Sequence, residues 1–181
     1  LMEGVSHEVC SLAGTMGLGK LIVFYDDNGI SIDGDVQEWF ADDTEQRFQS
    51  YNWQTLIIDG HNPDEISGAI TTALENKDQP SLIICKTQIG FGSPNKAGTA
   101  ATHGAPLGED EVQATRDALG WEHPPFVIPD EIYQTWEARE KGYVVETAWK
   151  ELFTRFEEEY PVHAMELIRR IRGDLFGDFE E

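Results

Sequence analysis

The chain has 181 residues, 40% of them hydrophobic and 26% charged, which is typical of a globular protein with a core. Its formal charge of −21 argues against a nucleic-acid partner and against an anionic membrane, because binding to either needs exposed Lys and Arg. No stretch is long and apolar enough to predict a membrane span, and no signal peptide is evident.

The first half of the chain alternates helical and strand patterns. In chain order it predicts a helix over 6–18, a strand over 21–25, a helix over 44–51, a strand over 55–58, a helix over 63–75 and a strand over 81–86. The unbroken apolar run of the first strand is typical of a strand buried on both faces. This alternation predicts an α/β fold in which helices flank a parallel sheet through right-handed crossovers.

The second half begins with a long segment, residues 87–108, that is rich in Gly, Pro, Ser, Thr and Asn. A loop of this length is usually functional, although a disordered surface loop fits the composition as well. A short helix is predicted over 109–119 and a Pro-rich irregular stretch over 121–129. Residues 130–172 have a helical pattern with expected breaks near Gly142 and at Pro161, and their aromatic residues are expected to pack rather than bind a ligand.

The two cysteines, Cys10 and Cys85, both lie in apolar runs. We expect buried thiols rather than a disulfide, as in a reducing cytoplasm. The predicted localisation is therefore cytoplasmic.

Polar residues follow the first strand directly, at Asp26, Asp27 and Asn28, and Gly29 comes next. The carboxyl ends of parallel strands are where open α/β sheets bind ligands. The Asn28 side-chain oxygen and the Ile30 carbonyl could ligate a hard cation such as Mg²⁺. Read alone, the same residues fit a plain turn equally well.

His103, in the long loop, could donate a hydrogen bond to a phosphate or move a proton, or it could simply be solvated. Lys86 and Lys96 could meet anions, with a solvated charge as the alternative. His61 follows a strand and precedes a helix, so a role in the turn is expected.

Several separate segments, in the same order, resemble the transketolase family, and the likeness extends over essentially the whole chain. They are Met2–Glu8, Phe24–Gly34, Ile58–His61, Lys86–Thr99 and His103–Gly108. The resemblance implies a thiamine-diphosphate-binding fold and places residues 1–181 in the later part of the diphosphate-binding domain, with a helical extension over about 130–175. The chain starts at Leu1, and the family's Gly-Asp-Gly motif would lie just before it, so we expect a longer protein.

The resemblance also implies a homodimer that binds thiamine diphosphate and Mg²⁺ (or Ca²⁺) between its subunits and acts on sugar phosphates. It assigns roles to individual residues: metal binding to Asn28 and Ile30, packing against the cofactor to Ile32, contact with the diphosphate and the reacting carbon to His103, and the subunit interface to Glu3 and Glu8. The remaining metal ligand and most of the sugar-phosphate-binding residues are expected outside this segment, which alone should have negligible activity.

One departure from the family pattern lies in the long loop, where Ala100 and Ala101 replace residues that are often His and Asp. This departure leaves a second interpretation open, a non-catalytic, split or degenerate subunit that only binds a partner. A third interpretation is a related thiamine-diphosphate enzyme, such as dihydroxyacetone synthase or deoxyxylulose-phosphate synthase, although the segment 91–96 looks more like transketolase than the latter.

Overall fold

The computed structural model describes residues 4–177, which divide into two compact units within residues 1–122 and 123–181. The first unit has the predicted alternation of helices and strands. Its elements are α1 (Gly4–Thr15), β1 (Ile22–Asp27), β2 (Ile30–Ser31), β3 (Gly34–Asp35), α2 (Thr44–Ser50), β4 (Gln54–Asp59), α3 (Pro63–Glu75), β5 (Ser81–Lys86) and α4 (Glu109–Ala118).

Within residues 4–122, three strands form one parallel sheet in the order β1-β5-β4. The last strand in sequence therefore lies in the centre. The strands are in register at their carboxyl ends, where Lys86 pairs with Asp27 on one side and with Asp59 on the other. Strands β2 and β3 form a separate antiparallel hairpin just after β1. The predicted α/β class, with a parallel sheet flanked by helices, is confirmed.

The core consists of two clusters, one on each face of the central strand. Leu82 and Ile84 of β5 point to one face, where they pack with residues of α1 and α2. Ile83 and Cys85 point to the other face and pack with residues of α3. This alternation is the period of two that a strand imposes, and it produces a helix–sheet–helix arrangement.

The prediction that the first strand is buried on both faces is wrong for this chain. β1 lies at the edge of the described sheet with a single neighbour, and Phe24 in its centre is 51% exposed. Of the three strands in the described sheet, β5 is the one buried on both faces, because it has a strand on each side and helices on both faces. An apolar run identifies a strand but does not say which position in the sheet it takes.

Side-chain caps explain where two of the helices begin. The Asp43 carboxylate accepts a hydrogen bond from the Gln46 N–H at 2.9 Å, so α2 starts at Thr44. The Asn62 amide oxygen accepts from the N–H groups of Asp64 and Glu65 at the start of α3. Both satisfy backbone donors that have no partner inside the helix.

The second unit contains α5 (Asp130–Trp136), α6 (Arg139–Glu159) and α7 (Pro161–Arg172). The break at Pro161 is confirmed, but the break expected near Gly142 is wrong. α6 runs through Gly142, whose N–H donates to the Ala138 carbonyl at 2.7 Å in the first turn of the helix. The chain breaks earlier, where the Glu137 carboxylate accepts from the Arg139 N–H. A single Gly costs a helix only about 1 kcal/mol, which a helix of this length tolerates.

Aromatic rings follow one another along α6. Trp149 and Phe153 stack with centroids 5.2 Å apart, and Phe156 and Tyr160 continue the series. Trp149, Phe153 and Phe156 therefore contact one another, whereas Trp136 is 83% exposed, so the expected packing of these rings on the sheet or on a neighbour stays a prediction. Among residues 4–177, no helix is long and apolar enough to cross a membrane.

Candidate functional site at the carboxyl edge of the sheet

The carboxyl ends of the three strands bring charged and polar side chains together. The Lys86 ammonium forms an ion pair with the Asp27 carboxylate across the β1–β5 pair. Beside it opens a cavity of about 340 Å³, whose walls include Asp26, Asn28, Ile30 and Phe40. This edge is where ligands bind in open α/β sheets, so it is the candidate site in this chain.

The local structure after β1 fixes the Asn28 side chain between two partners. Its Oδ1 accepts a hydrogen bond from the Ile30 N–H at 2.9 Å, and its Nδ2 donates to the Asp26 carboxylate at 3.2 Å. Gly29 makes the turn possible, because its φ of +71° is a conformation that other residues rarely adopt. The turn predicted from Asp-Asn-Gly is therefore present, and it places the Asn28 oxygen next to the Ile30 peptide group.

The donor chemistry of this turn fits a hard divalent cation. An amide oxygen has two lone pairs, and the Ile30 N–H uses one of those on Asn28. The other remains for a ligand, and a neutral amide oxygen and a backbone carbonyl are both ligands that Mg²⁺ and Ca²⁺ accept. Among the described residues, no group of three or more His, Cys, Asp and Glu side chains could hold a metal ion. A site here would therefore need further ligands.

Ile32 lies in the turn of the β2–β3 hairpin and is 71% exposed. The hairpin is held by the Ser31 hydroxyl, which donates to the Gly34 carbonyl at 3.1 Å. Ile32 therefore presents an exposed apolar side chain two positions after Ile30. Its assignment to cofactor packing stays a prediction.

His61 connects the end of β4 to the long loop. Its Nε2 accepts a hydrogen bond from the Gln88 N–H at 2.8 Å, and its ring stacks on Phe91 with centroids 4.0 Å apart. An accepting Nε2 places the proton of the neutral ring on Nδ1. Next to His61, the backbone of Gly60 lies so close to Thr87 that a Cβ at position 60 would be 2.4 Å from the Thr87 side chain. A glycine is therefore needed at this position. His61 thus does more than the turn role that the sequence predicted.

Hydrogen bonds to one buried carboxylate connect the middle of the long loop to α4. Glu111, 8% exposed, accepts hydrogen bonds from the Ser93 hydroxyl and from both the side-chain amide and the backbone N–H of Asn95. In that order of importance, these bonds lower the pKa of Glu111 to about 2. Lys96 donates to the Leu107 carbonyl at 2.7 Å. The loop is ordered by these contacts, and the alternative of a disordered surface loop is wrong.

The remaining predicted site residues are not gathered at the cavity. His103 is exposed and follows a single turn of 3₁₀ helix, Ala100–Thr102, and it is not among the residues that line the cavity. Glu8 lies exposed on α1, while Glu3 is outside the described residues. Asn28 and Ile30 are the two predicted residues that this structure brings together.

Sequence reasoning missed the residues that tie these parts to one another. The Asp26 carboxylate accepts from the Thr87 hydroxyl as well as from Asn28, and Glu111 holds the loop. A signal for Asp26 was present, since it lies at a strand end two positions before the candidate ligand Asn28. No local sequence pattern indicated a role for Glu111, which is one of three acidic residues in the first turn of α4.

Both cysteines are free thiols, Cys85 buried and Cys10 partly buried, as expected. Burial raises the pKa of the Cys85 thiol, with a further contribution from nearby Asp26. This thiol therefore stays protonated and behaves as a core residue.

Known proteins resemble this chain throughout. Transketolase 2 of Escherichia coli (strain K12) is 58% identical over 182 residues, and the transketolase of Buchnera aphidicola subsp. Baizongia pistaciae is 59% identical over 180 residues. These alignments cover 100% and 99% of this chain, but 27% of each relative. The chain thus spans about a quarter of the length of the curated relatives it matches.

Solved structures give the same result for the fold. A transketolase from Leishmania mexicana superposes with a TM-score of 0.89 at 31% identity, covering 99% of this chain and 27% of that one. A Pichia stipitis transketolase in complex with fructose-6-phosphate gives 0.86 at 37% identity, covering 98% and 27%. The family described as "Transketolase, thiamine diphosphate binding domain" matches residues 1–176. The chain therefore belongs to the family of transketolase thiamine-diphosphate-binding domains.

Proposed function

We propose that the full-length protein containing this chain is a transketolase, which transfers a two-carbon ketol unit from a ketose phosphate to an aldose phosphate. The observation that carries the proposal is the turn after β1, where the Asn28 amide oxygen lies 2.9 Å from the Ile30 nitrogen at the carboxyl edge of a parallel sheet. Two solved relatives from Pichia stipitis are described as complexes with fructose-6-phosphate and sedoheptulose-7-phosphate, which supports sugar phosphates as substrates.

In this proposal the Asn28 side-chain oxygen and the Ile30 carbonyl hold Mg²⁺ (or Ca²⁺), Ile32 packs against the cofactor, and His103 donates a hydrogen bond to its diphosphate. Thiamine diphosphate, when bound, supplies the nucleophilic carbon that such a transfer requires. His103, which is exposed, would hold or move a proton near that carbon. The long loop that carries His103 is kept ordered by His61 and Glu111.

The proposal includes a homodimer with α1 at its interface. Val5, Val9, Leu12 and Met16 are each 58–64% exposed and recur every three or four residues, so they share one face of the helix. Glu8 lies three residues after Val5 and four before Leu12, on the same face. The exposed apolar face fits a subunit interface, and the proposal places Glu8 and Glu3 there.

We also propose a cytoplasmic location and assign residues 1–181 to the later part of the diphosphate-binding domain, with the second unit as its helical extension. The two free thiols fit a reducing compartment. The assignment of both units to one domain is supported by the family match over residues 1–176.

The metal assignment can be tested with Asn28→Ala in the full-length protein. Because the change removes a ligand oxygen, we expect the Kd for Mg²⁺ at saturating thiamine diphosphate to rise about tenfold or more. Quenching of tryptophan fluorescence during a Mg²⁺ titration measures this constant directly. Asp33→Ala, in the turn of the same hairpin, is the control and should leave the Kd within about threefold of wild type.

An unchanged Mg²⁺ titration in Asn28→Ala would contradict the assignment of this residue. The reaction itself is tested separately, by a screen of donor and acceptor sugars with the full-length protein. Turnover of sugar phosphates supports transketolase, a preference for formaldehyde as acceptor would indicate dihydroxyacetone synthase, and no turnover would favour a non-catalytic subunit.

A further inference from the structure

Two hydrogen bonds from different parts of the chain converge on the Asp26 carboxylate. One oxygen accepts from the Thr87 hydroxyl, at the start of the long loop. The other accepts from Asn28 Nδ2 at 3.2 Å. Asp26 is the fifth residue of β1, and Thr87 directly follows the neighbouring strand β5, so the carboxylate bridges two strands at the carboxyl edge.

This carboxylate determines which way the Asn28 amide faces. An ionised carboxylate only accepts hydrogen bonds, so it favours the NH₂ end of the amide and repels the oxygen end. The Ile30 N–H only donates, so it favours the oxygen end, which lies 2.9 Å away. If the amide were flipped, two acceptors would face each other at Asp26 and two donors at Ile30. The two neighbours thus enforce the same orientation.

We propose that Asp26 is a positioning residue, which holds the Asn28 side chain so that its oxygen is presented for the metal ion. This inference rests on the proposed metal-binding role of Asn28. Thr87 fixes the carboxylate from the loop side, and the metal ligand is thereby coupled to the segment that carries His103. Residues that orient a metal ligand in this way change metal affinity by about 10- to 100-fold when they are removed.

The test is a double-mutant cycle in the full-length protein, with the Mg²⁺ Kd at saturating thiamine diphosphate as its readout. Asp26→Ala should raise the Kd about tenfold. If Asp26 acts through Asn28, the double variant Asp26→Ala/Asn28→Ala should bind Mg²⁺ no more weakly than Asn28→Ala alone. Losses that multiply in the double variant would overturn the inference.

Asp26→Asn separates hydrogen bonding from charge. An amide at this position can still offer its oxygen to Asn28 Nδ2 and its NH₂ group to the Thr87 hydroxyl oxygen. We therefore expect a Kd within about threefold of wild type, well below the roughly tenfold increase expected for Asp26→Ala. A Kd as high as that of Asp26→Ala would mean that charge alone matters and would overturn the positioning role.

Asp33→Ala removes an equal charge from the hairpin turn and should leave the Kd nearly unchanged. Thermal melting without cofactor checks folding, and Asp26→Ser, too short to reach Asn28, replaces the alanine variant if that variant does not fold. Weak binding in Asn28→Ala but normal binding in Asp26→Ala would overturn only the inference. Normal binding in Asn28→Ala would overturn the proposed metal site along with it.

Discussion

At the scale of single residues, His61 shows how one side chain can hold a long connection in place. It follows β4 directly and reaches the first residues of the loop by a hydrogen bond to the Gln88 N–H and by stacking on Phe91. The hydrogen bond spans 27 positions in sequence. The loop start is therefore fixed to the sheet and not only to the strand it leaves.

His61→Phe is expected to loosen the loop start without removing the ring contact. The phenyl ring can still stack on Phe91, but the Gln88 N–H loses its acceptor, at a cost of about 1 kcal/mol. We expect faster amide exchange at Gln88 and its neighbours in the full-length protein, measured by hydrogen–deuterium exchange. The conservative variant His61→Gln retains an acceptor and should exchange more slowly than His61→Phe. Equal exchange in wild type and His61→Phe would show that the bond is not needed.

At the scale of elements, the first turn of α4 and the segment 93–96 form one structural unit through Glu111. Three donors surround its carboxylate, and they stabilise only the ionised form. The Ser-Pro-Asn-Lys segment, residues 93–96, contributes to the family resemblance. In this structure it attaches the long loop to α4, the helix that follows.

This arrangement predicts acid sensitivity of the loop. The pKa of Glu111 is lowered from 4.5 to about 2 in the folded chain. A depressed carboxyl pKa contributes stability above the unfolded value, and that contribution is lost as the pH falls from 4.5 towards about 2. In Glu111→Gln the loop should be less protected at neutral pH, and the difference from wild type should shrink through this window. Hydrogen exchange of residues 87–108 against pH measures both effects.

Glu109→Gln is the matched control, because Glu109 is an exposed acid in the same helical turn. It should leave the pH profile of loop exchange as in wild type. If Glu111→Gln and wild type lose protection in parallel as the pH falls, the ionised carboxylate is not what holds the loop.

The elements were predictable from local patterns because their causes are local. Caps at Asp43 and Asn62, and the apolar run over 81–86, each depend on neighbours a few positions away. Two expectations failed, the first for a cause that is not local and the second for a local one. The exposure of β1 depends on its place in the sheet, and Gly142 lies inside α6 because the chain breaks at Glu137 instead.

The candidate site was predictable only in part for the same reason. Asn28 and Ile30 are two residues apart, so their turn follows from sequence. The hydrogen bond from Thr87 to Asp26 spans 61 positions and exists only because β1 and β5 are neighbours. Strand order, which the pattern of strands and helices does not specify, decides which polar residues meet.

At the scale of the whole molecule, stability of the first unit depends on the central strand. Leu82 is fully buried between the sheet and the helices on one face, with 0% of its surface exposed. Leu82→Ala should lower the free energy of unfolding by about 2–5 kcal/mol, from lost burial and the cavity left behind. Urea unfolding of the full-length protein, followed by circular dichroism, measures this change.

Leu74→Ala is the matched control, since the same atoms are removed from a side chain on α3 that is 54% exposed. Its effect should stay below about 1 kcal/mol. Similar losses in the two variants would mean that Leu74 is covered in the full-length protein, or that β5 is not the centre of the core.

The position of β5 also has a consequence for synthesis. β1 and β4 are made first, yet in this sheet they never pair with each other, because β5 lies between them. Until residues 81–86 leave the ribosome, β1 and β4 both lack the partner strand that they share in the described sheet, and the apolar surfaces that β5 would cover stay available to chaperones or to other nascent chains. Within the described residues, β5 is thus the strand that joins the other two, and a ribosome that stalls before this point would leave β1 and β4 without the strand between them.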